Sequence, residues 1–196
     1  MRYPSGIRKR FTNQPATSKP NDAYSNRGMS LEEDIEQTNK FYLNTNKAII
    51  HKKPTPIQIV KVHYPKRSAA VITEGYFQAK STTDFNGIYR SKHIDFEAKE
   101  TKNKTLFPLA NIHEHQFLHM QSILEHGGIC FFIIRFSLYH ETYYVPAKLV
   151  LAYWEQMKQH GRKSIPYDVI QNEGYLIPFK YQTRVDYLSV VDQLYF

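Results

Sequence analysis

The sequence predicts a mixed α/β fold, a central sheet flanked by helices with a basic β-ribbon protruding from it. Three observations carry this. Extended runs and amphipathic helical stretches alternate in the order α-β-(ribbon)-β-β-α-β-β-α. Residues 129–134 (ICFFII) form an apolar run of the length of a buried strand. Pro54 and Pro56 introduce two strand-like legs around a polar turn, and prolines limit how such legs join a central sheet.

Taken in order, residues 1–28 mix Pro, Ser, Thr, Asn and basic residues without hydrophobic period, and read as a flexible arm ordered by a partner. Residues 29–196 then read as a single domain, with the ribbon inserted at about 54–75. Ser30-Leu31-Glu32-Glu33 has the form of a capping box and opens a helix to about Leu43, with Leu31, Ile35, Thr38 and Tyr42 on one stripe. Residues 47–51 (KAIIH) read as a first strand. The ribbon follows, its legs IQIVKV and AAVIT joined at Pro65-Lys66-Arg67-Ser68. Asn86-Gly87 reads as a turn between two short extended runs. Residues 92–99 (KHIDFEAK) alternate apolar and polar side chains like a half-buried strand. A helix over 111–126 stops at Gly127-Gly128. Strands at 129–136 and 141–145, a helix at 148–159 and a last helix from Val185 complete the chain.

Composition narrows the class. An apolar content of 41% with 14% aromatics is that of a globular protein. No apolar run approaches the roughly 20 residues of a membrane span, and no apolar stretch follows the first positive charges. The single cysteine, Cys130, lies in the apolar run, so a buried hydrophobe in an intracellular, disulfide-free protein is expected. The net charge of +8 is unevenly spread. Residues 1–28 carry six cations against one carboxylate, and residues 51–75 carry five against one, so these two segments hold all the excess. Such a distribution suits a polyanion; aid to solubility is the competing explanation.

The strongest chemical signal is Asp84 followed by Ile94-Asp95-Phe96-Glu97-Ala98-Lys99. On a strand, Asp95, Glu97 and Lys99 share one face while Ile94, Phe96 and Ala98 share the other. If the strand at Asp84 is a neighbour, two carboxylates and an ammonium converge. Carboxylates hold hard cations, and an ammonium beside them stabilises charge developing on a phosphate. Alone, an E-x-K spacing is equally a solvated, salt-bridged strand face.

Longer strings accompany it: SNRGMSLEEDI, HKKPTP, YPKRS, STTDFNGIYR, IDFEAKETKNKTLFPL and IHEHQ. Through them the chain resembles, over nearly its whole length, the RecU family of bacterial Holliday-junction resolvases. The resemblance implies a restriction-endonuclease-like PD-(D/E)xK fold, a homodimer, dependence on Mg²⁺ with Mn²⁺ as a substitute, and paired nicking of four-way DNA junctions. It also implies a role in recombination and repair, a functional link to the strand-exchange recombinase, and a place in the bacterial cytoplasm at the nucleoid. Carried over by motif, Asp84, Glu97 and Lys99 are the expected catalytic residues, and Thr82, Asp84, Glu97 and Gln116 the expected metal ligands. Thr83 stands where the broader fold motif has proline, as in RecU. Thr82 has a competing role in the strand turn, and Gln116 in holding water or capping a neighbour.

Expected DNA contacts are Arg8, Lys9, Arg10 and Arg27 on the arm, Lys52 and Lys53 just before the ribbon, Lys66 and Arg67 on it, and the aromatic Phe77. The ribbon resembles the RecU stalk, expected to enter the junction centre. Tyr76 and Phe77 either pack the ribbon base or stack on open bases. His113, His115, His119 and His126 crowd one helix, but no HExxH or closing ligand set accompanies them, so helix polarity or phosphate contact is expected over zinc. Glu33 is explained by capping; Asp95 and Glu100 remain as further acidic candidates. Two rival functions share these features, a sequence-specific restriction-type endonuclease and a non-catalytic junction-binding protein.

Overall fold

The computed structural model describes residues 30–66, 68–77 and 82–196. Helix α1 (Leu31–Asn44) opens on the predicted capping box: Ser30 Oγ accepts from Glu33 N at 3.3 Å and Ser30 N donates to the Glu33 carboxylate at 2.8 Å. Its buried residues include the whole predicted stripe, Leu31, Ile35, Thr38 and Tyr42. Glu100 adds a carboxylate at this helix end, accepting from Leu31 N at 3.4 Å.

Strand β1 (Ile49–Lys52) leads into β2 (Ile57–His63) and β3 (Val71–Phe77), which pair antiparallel as a separate two-stranded sheet. Nearly every ribbon residue is exposed. The chain then returns to the main sheet with β4 (Phe85–Tyr89) and β5 (Lys92–Thr101). The turn expected at Asn86-Gly87 is not there: both residues lie within β4, paired to β1. Gly87 serves close approach instead, because a Cβ there would sit 2.0 Å from the Ile49 carbonyl oxygen. The reversal falls at Arg90 and Ser91, both at positive φ (47° and 61°), the conformation of a tight two-residue hairpin turn.

A short β6 (Leu106–Pro108) and a 3₁₀ turn (Leu109–Asn111) precede α2 (Glu114–Glu125). Strands β7 (Ile129–Phe136) and β8 (Glu141–Pro146), then α3 (Ala147–Lys158), match the predicted elements to within two residues at their starts and ends. Four elements had no sequence signal strong enough to predict: β6, β9 (Ser164–Pro166), α4 (Tyr167–Glu173) and β10 (Tyr175–Leu176). Helix α5 (Tyr187–Tyr195) ends the chain.

The main sheet has the order β1-β4-β5-β7-β8-β10, with β5 and β7 parallel and the other pairs antiparallel. Parallel neighbours need a crossover, and α2 supplies it. Alternate β7 residues feed two cores. Ile129, Phe131 and Ile133 pack with residues of α1 and α5, while Cys130, Phe132, Ile134 and Phe136 pack with residues of α2, α3 and α4. Because both faces are covered, β5 is not half-buried as its alternation suggested; Asp95 and Glu97 are themselves buried. Its polar residues mark a polar site under α2, not a solvent face. Burial also pushes the Cys130 thiol up, as befits a packed, unreactive side chain.

Candidate active site

Strand β5 provides the platform. Ile94, Phe96 and Ala98 enter the core shared with α1 and α5, so Asp95, Glu97 and Lys99 take the opposite face. Helix α2 covers that face with two side chains a turn apart. Gln116 Nε2 donates to Glu97 Oε1 at 2.6 Å, and His119 Nε2 lies 3.2 Å from Asp95 Oδ2. The same Gln116 closes the start of its helix, its Oε1 accepting from His113 N at 3.1 Å. Gln116 thus caps its own helix and holds Glu97 with the same amide.

Asp84 sits at the start of β4, one residue beyond the Phe85–Phe96 pair that ends the β4–β5 ladder. With no strand partner opposite, the Ala98 N–H is taken by the Asp84 side chain, Oδ2 accepting at 2.9 Å. On its other side the Asp84 carbonyl accepts from Lys53 N at 2.7 Å. The convergence expected of Asp84, Glu97 and Lys99 is therefore present. Lys99 forms an ion pair with Glu97 Oε1, while Glu97 Oε2 is buried with no hydrogen-bond partner.

Electrostatics follow from this crowding. Burial, then the neighbouring Asp84 charge, pushes Glu97 up to about 7, against the lowering effect of Lys99 and Gln116. Burial also raises Asp84, against the Ala98 N–H and the Lys99 charge. Two carboxyls that resist ionising together, one with an orphaned buried oxygen, fit a divalent cation, whose charge would relieve both. Among the described residues no group of three or more His, Cys, Asp or Glu side chains could hold a metal, so an ion here would rely on the carboxylates plus neutral oxygens.

The remaining predicted residues separate into three sets. Thr82 is not free: its Oγ1 accepts from Lys53 Nζ at 2.9 Å. Lys52 and Lys53, expected on DNA, are both engaged within the domain. Lys52 pairs with Glu32 and Glu36, each at 2.8 Å, and Lys53 with buried Asp95 at 2.8 Å. The ribbon segment is therefore less basic than its sequence suggested, since two of its five cations are neutralised at its root. Lys66 is exposed at the ribbon tip. Phe77 is 80% exposed and Tyr76 60% exposed, so packing of the ribbon base does not explain them. Arg8, Lys9, Arg10, Arg27 and Arg67 lie outside the described residues. Thr83 is the residue that the sequence reading missed: it is fully buried and bonds through Oγ1 to Asp95 Oδ1. Its only signal was its position in place of proline.

With this geometry in hand, comparison with known proteins is decisive. The chain matches the Recombination protein U family over residues 26–193. It belongs to the RecU family. The Holliday junction resolvase RecU of Oceanobacillus iheyensis is 63% identical over 196 residues, covering all of both chains. That of Geobacillus kaustophilus is 57% identical over 196 residues, all of this chain and 98% of the relative. The Bacillus cereus RecU is 53% identical over 197 residues, again with 98% of the relative covered. In a RecU protein the buried Asp84–Glu97–Lys99 group is the natural place to look for the chemistry.

Proposed function

We propose that this chain resolves Holliday junctions as a divalent-metal-dependent endonuclease, hydrolysing a phosphodiester in each of two opposed strands of a four-way DNA junction during recombination and repair. Membership of the RecU family supports the substrate. The observation that carries the chemistry is Glu97, buried between Asp84, Lys99 and Gln116 with one carboxylate oxygen unpartnered.

Asp84 and Glu97 would hold the cation, with Thr82 and Gln116 contributing neutral oxygens; Mg²⁺ is the ion proposed and Mn²⁺ its substitute. A bound divalent cation supplies Lewis-acid polarisation of the phosphate and acidifies water. The chain's own residues do the rest. Gln116 fixes the rotamer of Glu97 through its amide N–H. The Ala98 N–H fixes Asp84. Lys99, held on Glu97, presents an ammonium where negative charge grows on the phosphate oxygens in the transition state. Helix α2 and the sheet exclude bulk water from the Glu97 side, which strengthens each of these interactions.

A homodimer would present two such sites, matching the approximate two-fold symmetry of the substrate. The ribbon would enter the junction centre, where Phe77 offers a face for stacking and Lys66 a charge among crowded phosphates. Cooperation with the strand-exchange recombinase and action at the nucleoid belong to the same proposal; no helix among the described residues is long and apolar enough to cross a membrane. The test is a nicking assay on four-way, duplex and single-stranded DNA, with Mg²⁺ or with EDTA. Paired nicks in the four-way junction alone, lost in EDTA, are expected. Sequence-dependent cutting of duplex would favour a restriction-type enzyme, and binding without nicking would leave a junction-binding protein.

A further inference from the structure

We propose that Lys53 and Asp95 form a positioning pair that fixes Asp84 against Glu97, and that Lys53 acts through this pair instead of on a DNA phosphate. The inference rests on the nuclease reading above and assigns two further residues to its machinery.

Lys53 Nζ donates to Thr82 Oγ1 at 2.9 Å, Thr83 Oγ1 at 2.6 Å and Asp95 Oδ2 at 2.8 Å. A lysine ammonium has three donors. All three are occupied, and the side chain is only 15% exposed. Leaving for a phosphate would strand Asp95, 1% exposed, without its cation, and an unpaired buried charge is strongly disfavoured. Its other neighbours do not replace the lysine. His119 and His93 lie 3.2 and 3.6 Å from the same Oδ2, but imidazoles carry charge only when protonated.

The pair lies where it can control the site. The backbone of Lys53 donates to the Asp84 carbonyl at 2.7 Å, and its side chain grips the two residues before Asp84. Thr83 in turn bonds to Asp95 Oδ1. Asp95 is two residues from Glu97 on the same face of β5. A closed chain of contacts therefore runs from Asp84 through Lys53 and Thr83 to Asp95, and along β5 to Glu97. In the chain, Lys53 precedes the ribbon strands and Thr82 and Thr83 follow them. One ammonium thus joins residues on either side of the ribbon in sequence to the strand that carries Glu97, so the span between the two carboxylates does not depend on the exposed ribbon.

The test compares Lys53→Met, Asp95→Asn and the double variant with Lys66→Ala and Asp84→Ala, all in the full-length chain. Three quantities are measured: junction affinity in EDTA with its salt dependence, single-turnover nicking at saturating junction, and Mn²⁺ affinity by titration without DNA. Residues that orient metal ligands typically carry about 10–100-fold effects on metal affinity or activity. Lys53→Met should weaken Mn²⁺ binding and slow nicking in that range, with junction affinity and salt slope those of the wild type. The double variant should be no worse than the worse single, as expected of two residues acting as a unit. Should either single variant fail to fold because one buried charge is left alone, the double, which leaves none, is read in its place. Wild-type Mn²⁺ affinity and nicking in the double variant would overturn the proposal. So would a Lys53→Met variant that loses junction affinity and about one unit of salt slope while keeping its Mn²⁺ affinity, the signature of a lost phosphate contact. Asp84→Ala separates the two levels: if it nicks normally the nuclease site itself is misassigned, whereas a dead Asp84→Ala beside an intact Lys53→Met defeats only the positioning pair.

Discussion

Strand β7 and the ribbon strands β2 and β3 are built from the same kinds of residue and meet opposite fates. Every apolar residue of β7 is buried, divided between two cores, whereas Ile57, Ile59, Val60, Val71, Ile72, Tyr76 and Phe77 of the ribbon are exposed. β-branched and aromatic residues favour extended backbone in both places, but only a sheet with helices on both faces gives them something to pack against. A two-stranded hairpin is marginal on its own in water. The contrast teaches that extended propensity and burial are separate properties: the ribbon strands have the first without the second. On the proposed reading, chemistry belongs to the buried side of this divide and recognition of substrate shape to the exposed side.

The largest effect expected tests that division at the site. Asp84→Ala and Glu97→Ala should each slow nicking on the order of 10³-fold or more, equivalent to about 4 kcal/mol of barrier. Junction affinity in EDTA should survive, because phosphate contacts elsewhere dominate it. Near-wild-type nicking by the double variant, or loss of binding in step with activity, would erase the line between the two regions.

A paired stability measurement addresses the packing difference directly. Phe131 is fully buried and stacks on Phe96, ring centroids 4.7 Å apart. Phe131→Ala should cost about 3–5 kcal/mol. Phe77→Ala, at an exposed position, should stay within about 0.5 kcal/mol in melting stability yet weaken junction binding by about 1–3 kcal/mol if the ring stacks on an open base. A substantial drop in melting temperature with Phe77→Ala would mean that the ribbon base is packed after all.

A third measurement uses protons to probe the buried site. Glu97 is raised from 4.5 to about 7 by burial and the Asp84 charge, so the folded state binds a proton that the unfolded state has released. The stability this proton supports is complete below pH 4.5 and is lost as pH rises through about 7. Without metal, the melting temperature should therefore fall between pH 5 and pH 8, by an amount equivalent to at most about 3 kcal/mol. Glu97→Gln should flatten the profile, and Mg²⁺ should restore stability most at the higher pH. A metal-free protein equally stable at both pH values would contradict the crowding inferred for the two carboxyls.

What could be read from sequence divides along the same line. The helix α1 stripe, the strand β7 run and the E-x-K face are local patterns, and the structure contains all three. Asp84 was legible only on the condition that its strand neighbours β5, and Gln116 needed the family resemblance, because nothing local says which segment returns to β5. What stayed hidden depends on partners distant in sequence. Nothing near Lys52 and Lys53 shows the carboxylates they pair with, because Glu36 and Asp95 lie 16 and 42 residues away. Asn86-Gly87 looked like a turn because the glycine's purpose, room for β1, is visible only in the sheet. The short β6, β9, α4 and β10 hold too few residues for a periodic signal.

The smallest effect concerns the start of helix α1. Ser30 satisfies two backbone groups reciprocally with Glu33, and it does so on the exposed surface at the first described residue. Losing a serine cap costs about 0.5–2 kcal/mol. At about 2–4 °C per kcal/mol for a chain of this size, Ser30→Ala should lower the melting temperature by a few degrees. Helix α1 carries Leu31, Ile35 and Tyr42 into the core behind β5, and Arg135 and Arg184 reach its Asp34 at 2.8 and 3.0 Å. Leu31 and Asp34 hold the first turn itself, so the helix should keep its place on the sheet without the cap, and nicking should keep its wild-type rate. Deleting residues 1–28 beside this variant separates two roles for the N-terminal region. If the arm acts on DNA alone, the deletion should flatten the salt dependence of junction binding and leave the melting temperature unchanged, the converse of Ser30→Ala. A deletion that melts as early as the cap variant would mean that residues 1–28 support the fold as well.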